Sequence, residues 1–399
     1  MQIAFISYWS CPRSRLGVLS SGGMNVYTLN LARELGKLGH RVDIFTKTHQ
    51  SHEKRINQLV HNVRLIHLDS GYGNDYIKSR QFGKNLLKFI KENSWEYDIF
   101  HAHYFFSGLS FLESASDKPM AMTFHTLGEM KKKYAGIDDS FRIKAEKNIA
   151  AKASALIAST ELEKDELVRY YQTKPGKVHV VSPGVDHHLF RPLDKNKSRE
   201  KLNLPKTKKI ILFVGRIDPV KGINLLIDAV GNLTDKHPEF EKTVQVLLIG
   251  GDIKSRLFWQ NPEVKKIVRN IAGRNLSCCI KFLGSKAHNR LPGYYSAADL
   301  VVLPSVYESF GLVVLEAMSG GAAIIASGSG GLKHLIEDGD TGIFFKSQDA
   351  QDLAKKIWEL LHNPQKMESL GKNAYTESHK YCWDKQAEKI VKVYRQLIR

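Results

Sequence analysis

Short apolar runs alternate with segments of helical period along the whole chain, and this alternation restricts the fold more than any other feature. A strand that reads as an unbroken apolar run must be covered on both faces, the situation of parallel sheets flanked by helices. In the first half the strand candidates are 3–8, 42–46, 63–68, 99–103, 120–124, 155–158 and 178–181. A helix over 24–38 follows the first of them, with Tyr27, Leu31, Leu35 and Leu38 on one face and Gly39 as its stop. The second half repeats the scheme with candidates at 210–214, 246–249, 280–283, 300–303, 323–326 and 343–345. The expected architecture is α/β, with two doubly wound Rossmann-like domains.

A chain of 399 residues is long enough for two such domains. Ser182-Pro183-Gly184-Val185-Asp186 is a turn-forming stretch followed by Arg191-Pro192 and a polar run, which places the boundary near 185. The expected domains are 1–185 and 186–375. A last segment, 376–399, carries a helix over 384–397 that has no strand after it; it can dock on either domain, including back on the first. The four cysteines, Cys11, Cys278, Cys279 and Cys382, have neither the spacing nor the companion histidines of a zinc site or a disulfide framework. The first residues read as a buried strand, without the basic region and cleavage site of a leader, and no apolar run reaches the length of a membrane span. A cytoplasmic location is expected.

The net charge of +18 raises the question of an anionic partner. The excess is spread, +8 over residues 1–185 and +10 over the rest. Clusters at Lys131-Lys132-Lys133 and Lys206-Thr207-Lys208-Lys209 come without aromatic platforms or a nucleic-acid-binding motif, so solvated faces account for them and no nucleic acid is expected. A basic surface of this kind leaves contact with the inner face of a membrane open.

Three segments carry chemistry. Ser21-Gly22-Gly23-Met24-Asn25 follows the first strand and opens a helix, so its amides suit a phosphate, although a plain loop turn explains it as well. Val26 and Tyr27 stand where a dinucleotide fingerprint needs a third glycine. Gly215-Arg216-Ile217-Asp218-Pro219-Val220-Lys221-Gly222 closes the first strand of the second domain and sets two cations five residues apart, a clamp suited to a diphosphate. The third segment runs from Pro304 to Met318. It presents Glu308 on a loop, then Phe310, Gly311, Leu312 and Val313 at a helix start, then Glu316 on the helix. Five helical residues advance about 7.5 Å, roughly the distance from a diphosphate to its ribose. Glu316 lies in an apolar stretch, where a carboxylate without a partner is costly.

Together with Phe282-Leu283-Gly284, Leu291-Pro292-Gly293-Tyr294-Tyr295 and Ser329-Gly330-Gly331-Leu332, these segments strongly resemble the retaining nucleotide-sugar glycosyltransferases of the GT-B fold, in the large group 1 family that includes sucrose-phosphate synthases and inositol-phosphate glycosyltransferases. The resemblance implies two Rossmann-like domains facing across a cleft. It implies that Glu308 holds the donor sugar, that Glu316 holds the ribose, and that Arg216 and Lys221 take the diphosphate. Gly22, Gly23, Gly311 and Leu312 complete the cradle with their amides. His101-Ala102-His103-Tyr104 and Thr123-Phe124-His125-Thr126 match the family's two histidine-bearing strand ends, with His125 beside the anomeric carbon and His103 and Thr126 toward the acceptor. Lys78 and Arg142 lie in regions where the resembling enzymes with phosphorylated acceptors carry a lysine and an arginine that grip the phosphate; Arg142, followed by Glu146, reproduces the local pattern better than Lys78, and a surface cation is the other reading of each.

The implied reaction is transfer of a hexose, glucose from UDP-glucose, to a sugar, polysaccharide-precursor or phosphorylated acceptor. Retention would come from front-face attack, the leaving phosphate taking the acceptor's proton. No cofactor and no metal requirement are expected, since two fixed cations stand in for the ion. Asp338-Gly339-Asp340, which could hold a metal-bound nucleotide sugar, is explained by a turn. A phosphorylase or epimerase on paired domains, and a basic membrane- or nucleic-acid-binding module without turnover, are the alternatives.

Overall fold

The computed structural model describes residues 1–17, 21–48, 54–114 and 116–398. The chain divides into two units. The first comprises Met1–Ser14, Gly23–Pro183 and the chain from Trp383 onward; the second comprises Arg15–Gly22 and Gly184–Cys382.

The first unit holds an eight-stranded sheet: β1 (Gln2–Ile6), β2 (Arg41–Lys47), β3 (Ile56–Val60), β4 (Val63–Leu68), β5 (Ile99–His103), β6 (Met120–Thr123), β7 (Ala155–Ala158) and β8 (Val178–Val180). The order is β3-β4-β2-β1-β5-β6-β7-β8, parallel except for β3, which runs antiparallel to β4. In β1, Ile3, Ala4, Phe5 and Ile6 are all fully buried, as a central strand under two helical layers requires. β3 has no counterpart among the strands read from the sequence. Its Ile56 and Val60 are 41% and 39% exposed, so it is a half-solvated edge strand without the apolar run that marks the others.

The helix Gly23–Lys37 turns Tyr27, Leu31 and Leu35 into the core, and the chain leaves it at Gly39, whose φ of +81° admits glycine without strain. Against this helix packs the last one, Trp383–Leu397, which buries Trp383, Ala387, Ile390, Val391 and Tyr394. Trp383 meets Tyr27 with ring centroids 5.6 Å apart. The helix thus completes the first unit, although nothing in its own sequence chooses between the two.

The second unit holds β9 (Lys209–Val214), β10 (Val244–Ile249), β11 (Ile280–Phe282), β12 (Leu300–Leu303), β13 (Ala323–Ser327) and β14 (Ile343–Phe345). All are parallel, in the order β11-β10-β9-β12-β13-β14. Two apolar clusters cover the sheet, one around Ile211, Leu226 and Leu353, the other around Leu212, Leu315 and Ile324. Residue 375, where the sequence ends the second domain, lies inside the helix Pro364–Ser378. Asp338 and Asp340 sit on a turn: Asp338 accepts from the Phe344 amide at 2.7 Å, and Asp340 from Asn373 at 2.7 Å. Among the described residues no helix is long and apolar enough to cross a membrane.

If the last helix completes the core of the first unit, Ile390→Ala, at a fully buried position, costs about 2–5 kcal/mol. Urea unfolding should show this as a lower midpoint for the first unit; an unchanged midpoint would mean that the helix is not held there.

Candidate active site

Each sheet reverses its strand order once, between β1 and β5 in the first unit and between β9 and β12 in the second. In open α/β sheets the ligand crevice lies outside the carboxyl ends of the strands at such a reversal. The residues that follow β9 and β12 are Gly215-Arg216 and Pro304-Ser305, and those that end or follow β1 and β5 include Ser7 and His103.

In the second unit the two loops are brought together by backbone. Gly222 has φ +67°, and a Cβ there would stand 2.0 Å from the Pro304 carbonyl oxygen, so only glycine allows this approach. The Val306 amide donates to the Val220 carbonyl at 2.8 Å, and Asp218 caps the Val220 amide at 3.1 Å. This seats the Lys221 ammonium 2.6 Å from Glu308 Oε1, which also accepts from Ser305 Oγ at 2.9 Å. The loop is braced behind by Ser327 and Ser329, whose hydroxyls both donate to the Ser305 carbonyl, and by the Gly331 amide, which donates to the Glu308 carbonyl at 2.7 Å. Arg216 is 38% exposed and rests 3.5 Å from Asp218, with Gly22 alongside its side chain. Gly23 begins the helix of the first unit.

Gly311, at φ +100°, turns the chain into the helix Leu312–Ser319. The first turn, with Leu312 and Val313, has amides that no carbonyl of the helix can accept. Phe310 is 5% exposed with its ring toward Tyr381 and His334, so its side chain belongs to the core of the unit. Glu316 is 5% exposed, and its two oxygens have separate partners: His288 Nε2 at 2.6 Å and the Tyr295 hydroxyl at 2.8 Å. These two partners were not read from the sequence. Tyr295 lies in a quoted motif, yet nothing in its spacing to Glu316 signals a contact.

In the first unit three histidines gather at the ends of β5 and β6. His101 is fully buried, with Nδ1 2.6 Å from the Tyr394 hydroxyl and Nε2 2.8 Å from Thr123 Oγ1. Both of its nitrogens are therefore occupied. His103, also fully buried, places Nδ1 3.2 Å from His125 Nε2. His125 stands just past β6 at φ +62°, a left-handed conformation uncommon outside glycine, with Tyr27 edge-on at 5.0 Å. It keeps some exposed surface, yet enough protein surrounds it that burial pushes its imidazole down to about 3. Burial has the same effect on His101, to about 3, and takes His103 well below the usual histidine range. All three are neutral near pH 7.

Arg142, on the helix Ser140–Lys152, is 3% exposed. Its Nε pairs with Glu146 Oε1 at 2.6 Å, and Nη2 donates to the carbonyl and hydroxyl of Thr126 at 2.6 and 3.0 Å. Glu146 Oε2 accepts from the Gly128 amide at 2.8 Å and from Tyr171 at 2.5 Å. The sequence places Arg142, Thr126 and His103 toward an acceptor; the structure shows Arg142 and Thr126 bound to each other and both His103 nitrogens enclosed by protein. Lys78 stands half-buried in the first turn of the helix Asp75–Glu92. Tyr76 of that turn packs 4.0 Å from the ring of Phe141, next to Arg142.

Residues 21–189 match the model of Glycosyltransferase Family 4, and residues 194–377 match that of Glycosyl transferases group 1. The D-inositol 3-phosphate glycosyltransferase of Corynebacterium kroppenstedtii is 33% identical, over 100% of this chain and 90% of its own. D-inositol 3-phosphate glycosyltransferase 2 of Catenulispora acidiphila is 32% identical, over 100% and 95%. The structure of sucrose-phosphate synthase from Thermosynechococcus elongatus matches with a TM-score of 0.90 at 30% identity, covering 99% of this chain and 98% of that one. An Anabaena protein solved with UDP and glucose shares the fold at 20% identity, with a TM-score of 0.80 and full coverage of both chains. With family signatures on both halves and relatives aligned over 90% or more of their own lengths, the chain belongs to the group 1 glycosyltransferases of GT-B fold, enzymes that transfer a sugar.

Proposed function

We propose that this enzyme transfers glucose from UDP-glucose to a hydroxyl of a phosphorylated sugar or cyclitol, with retention of the anomeric configuration and without a metal ion. The observation that carries the donor half is the pair of carboxylates flanking the Gly311 turn, Glu308 against Lys221 and Glu316 between His288 and Tyr295. Carboxylates held this way accept from vicinal hydroxyls, Glu308 from the sugar and Glu316 from the ribose. Lys221, Arg216 and the amides after Gly311 then face the diphosphate. Negative charge grows there as the glycosidic bond breaks, and donors already in place stabilise it without reorganisation.

The acceptor half rests on Lys78, on Arg142 with Thr126, and on the names of the relatives, which are inositol-phosphate enzymes and a sucrose-phosphate synthase. A chain carrying +18 favours a phosphorylated acceptor over a neutral one. The residues proposed for the nucleotide lie in the second unit, and His125 and the residues proposed for the acceptor lie in the first. Cytoplasmic nucleotide sugar is the natural source of the donor. The direct experiment is release of UDP from UDP-glucose in the presence of inositol phosphates and hexose phosphates, with the anomeric configuration of the product read by NMR. Hydrolysis unaffected by every phosphorylated acceptor would reject the acceptor class, and an inverted product would reject retention.

Replacing Arg216 or Lys221 by alanine should lower kcat by about 10²–10³-fold each with a smaller effect on donor KM, because the charge they meet develops in the transition state. The wild-type enzyme should keep its rate in excess chelator. Loss of activity with rescue by manganese would instead require a metal.

Glu316→Ala should weaken binding of free UDP about tenfold by calorimetry, whereas Glu308→Gln should leave it unchanged or tighter, since Lys221 loses its competing partner. The reverse order would exchange the two roles.

Arg142→Ala would leave the buried Glu146 carboxylate without its cation, at a cost of about 3–5 kcal/mol in stability. The acceptor contact is therefore better tested with Arg142→Lys, which keeps the charge and loses the fork. Acceptor KM should rise about tenfold with donor hydrolysis nearly unchanged; equal losses of transfer and hydrolysis would assign Arg142 to the fold alone.

A further inference from the structure

We propose that His103 is a positioning residue that fixes the tautomer of His125, keeping the His125 proton on Nδ1 so that this ring offers its substrate a hydrogen-bond donor. The proposal rests on the assignment of His125 to the sugar made above.

His103 Nδ1 and His125 Nε2 lie 3.2 Å apart, and both rings are neutral because burial disfavours their charged forms. A neutral imidazole carries one proton, so one ring donates across this contact and the other accepts. The two arrangements are not equivalent, because the remaining nitrogen of His103 has no hydrogen-bond partner among the described residues. His103 Nε2 is closed off from solvent, and the ring sits among Phe5 at 4.8 Å, Tyr27 at 5.7 Å and His101 at 4.2 Å. If His125 donated, the His103 proton would have to sit on Nε2, a buried N–H with no acceptor. Such groups are rarer than under-used acceptors, and the penalty disfavours this arrangement by roughly tenfold or more. If His103 donates from Nδ1, its Nε2 keeps only a lone pair, and the single proton of His125 is left on Nδ1.

The His103 ring cannot easily turn to escape this choice. It lies against the tilted ring of His101, which Tyr394 and Thr123 hold from both sides, and Phe5 stands edge-on to it. The last helix therefore reaches the site through Tyr394, His101 and His103 in turn. With its proton on Nδ1, His125 is suited to donate to a hydroxyl or ring oxygen of the sugar, and with so low a basicity it does not serve as a proton acceptor near pH 7.

The test is ¹⁵N NMR of the ligand-free protein labelled at histidine, with the His125 signals assigned by their loss in His125→Asn. The expected spectrum has a protonated-type Nδ1 and an imine-type Nε2 for His125. Protonated Nε2 in the wild-type protein would overturn the proposal without any variant. His103→Phe keeps a ring but removes the donor, and should convert the His125 signals to a mixture of tautomers and lower kcat about tenfold or more, with UDP affinity unchanged. His103→Asn, whose amide can donate from nearly the same place, should restore the wild-type spectrum and most of the rate. Equal losses in the two variants with an unchanged His125 spectrum would also overturn it. Should the protein turn over no nucleotide sugar while His125 still carries its proton on Nδ1 in the wild type and loses that preference in His103→Phe, the functional assignment fails and the positioning role stands.

Discussion

A parallel sheet covered on both faces has no dry place for an unpartnered polar side chain along its strands, and the rest of this protein follows from that constraint. Strands such as β1, β9 and β12 are almost wholly apolar and buried, and their chemistry is displaced to the loops at their carboxyl ends. The reversal of strand order in each unit separates two adjacent loops and leaves room between them. In the second unit that room is bounded by Arg216, Lys221 and Glu308. In the first unit β5 carries two histidines inside the sheet, and His101 is tolerated because Tyr394 and Thr123 occupy both of its nitrogens.

The charged groups of the site are held in place before any substrate arrives. Glu308 already pairs with Lys221 and accepts from Ser305, and Glu316 is gripped by His288 and Tyr295. These hydrogen bonds fix the orientation of both carboxylates. On the first unit the Arg142–Glu146 salt bridge, with side chains 4% and 0% exposed, holds Arg142 on the helix Ser140–Lys152 against the Thr126 carbonyl, just past β6. Under the proposed transfer from a nucleotide diphosphate sugar, such preorganisation would stabilise the charged leaving group without recruiting donors as the bond breaks.

Much of the fold was legible because its signals are local. Among the described residues, thirteen of the fourteen strands lie where apolar runs predict them, and the helix stop at Gly39 lies where a left-handed turn is needed. The exception, β3, is an edge strand whose Asn57 and Gln58 interrupt any apolar run, and its pairing with β4 is the only thing that makes it a strand. The two-glutamate segment was legible for a related reason: Glu308, Gly311 and Glu316 lie within a single loop and helix, so their spacing along the chain is also their spacing in space.

The sequence by itself therefore determined the α/β class, the order of the strands along the chain and the segments that match the family's motifs, since each depends on neighbours a few residues away. Tertiary structure alone decided which partner each functional side chain takes. Lys221 meets Glu308 across 87 residues, His288 meets Glu316 across 28, and His101 meets Tyr394 across 293. It also decided that the helix Trp383–Leu397 completes the first unit, although that helix follows the second in the chain. Its apolar face would suit any complementary groove, and only the packing of Trp383, Ile390 and Tyr394 against the helix Gly23–Lys37 selects one. Periodicity tells a side chain to be buried; the shape of what covers it tells it where.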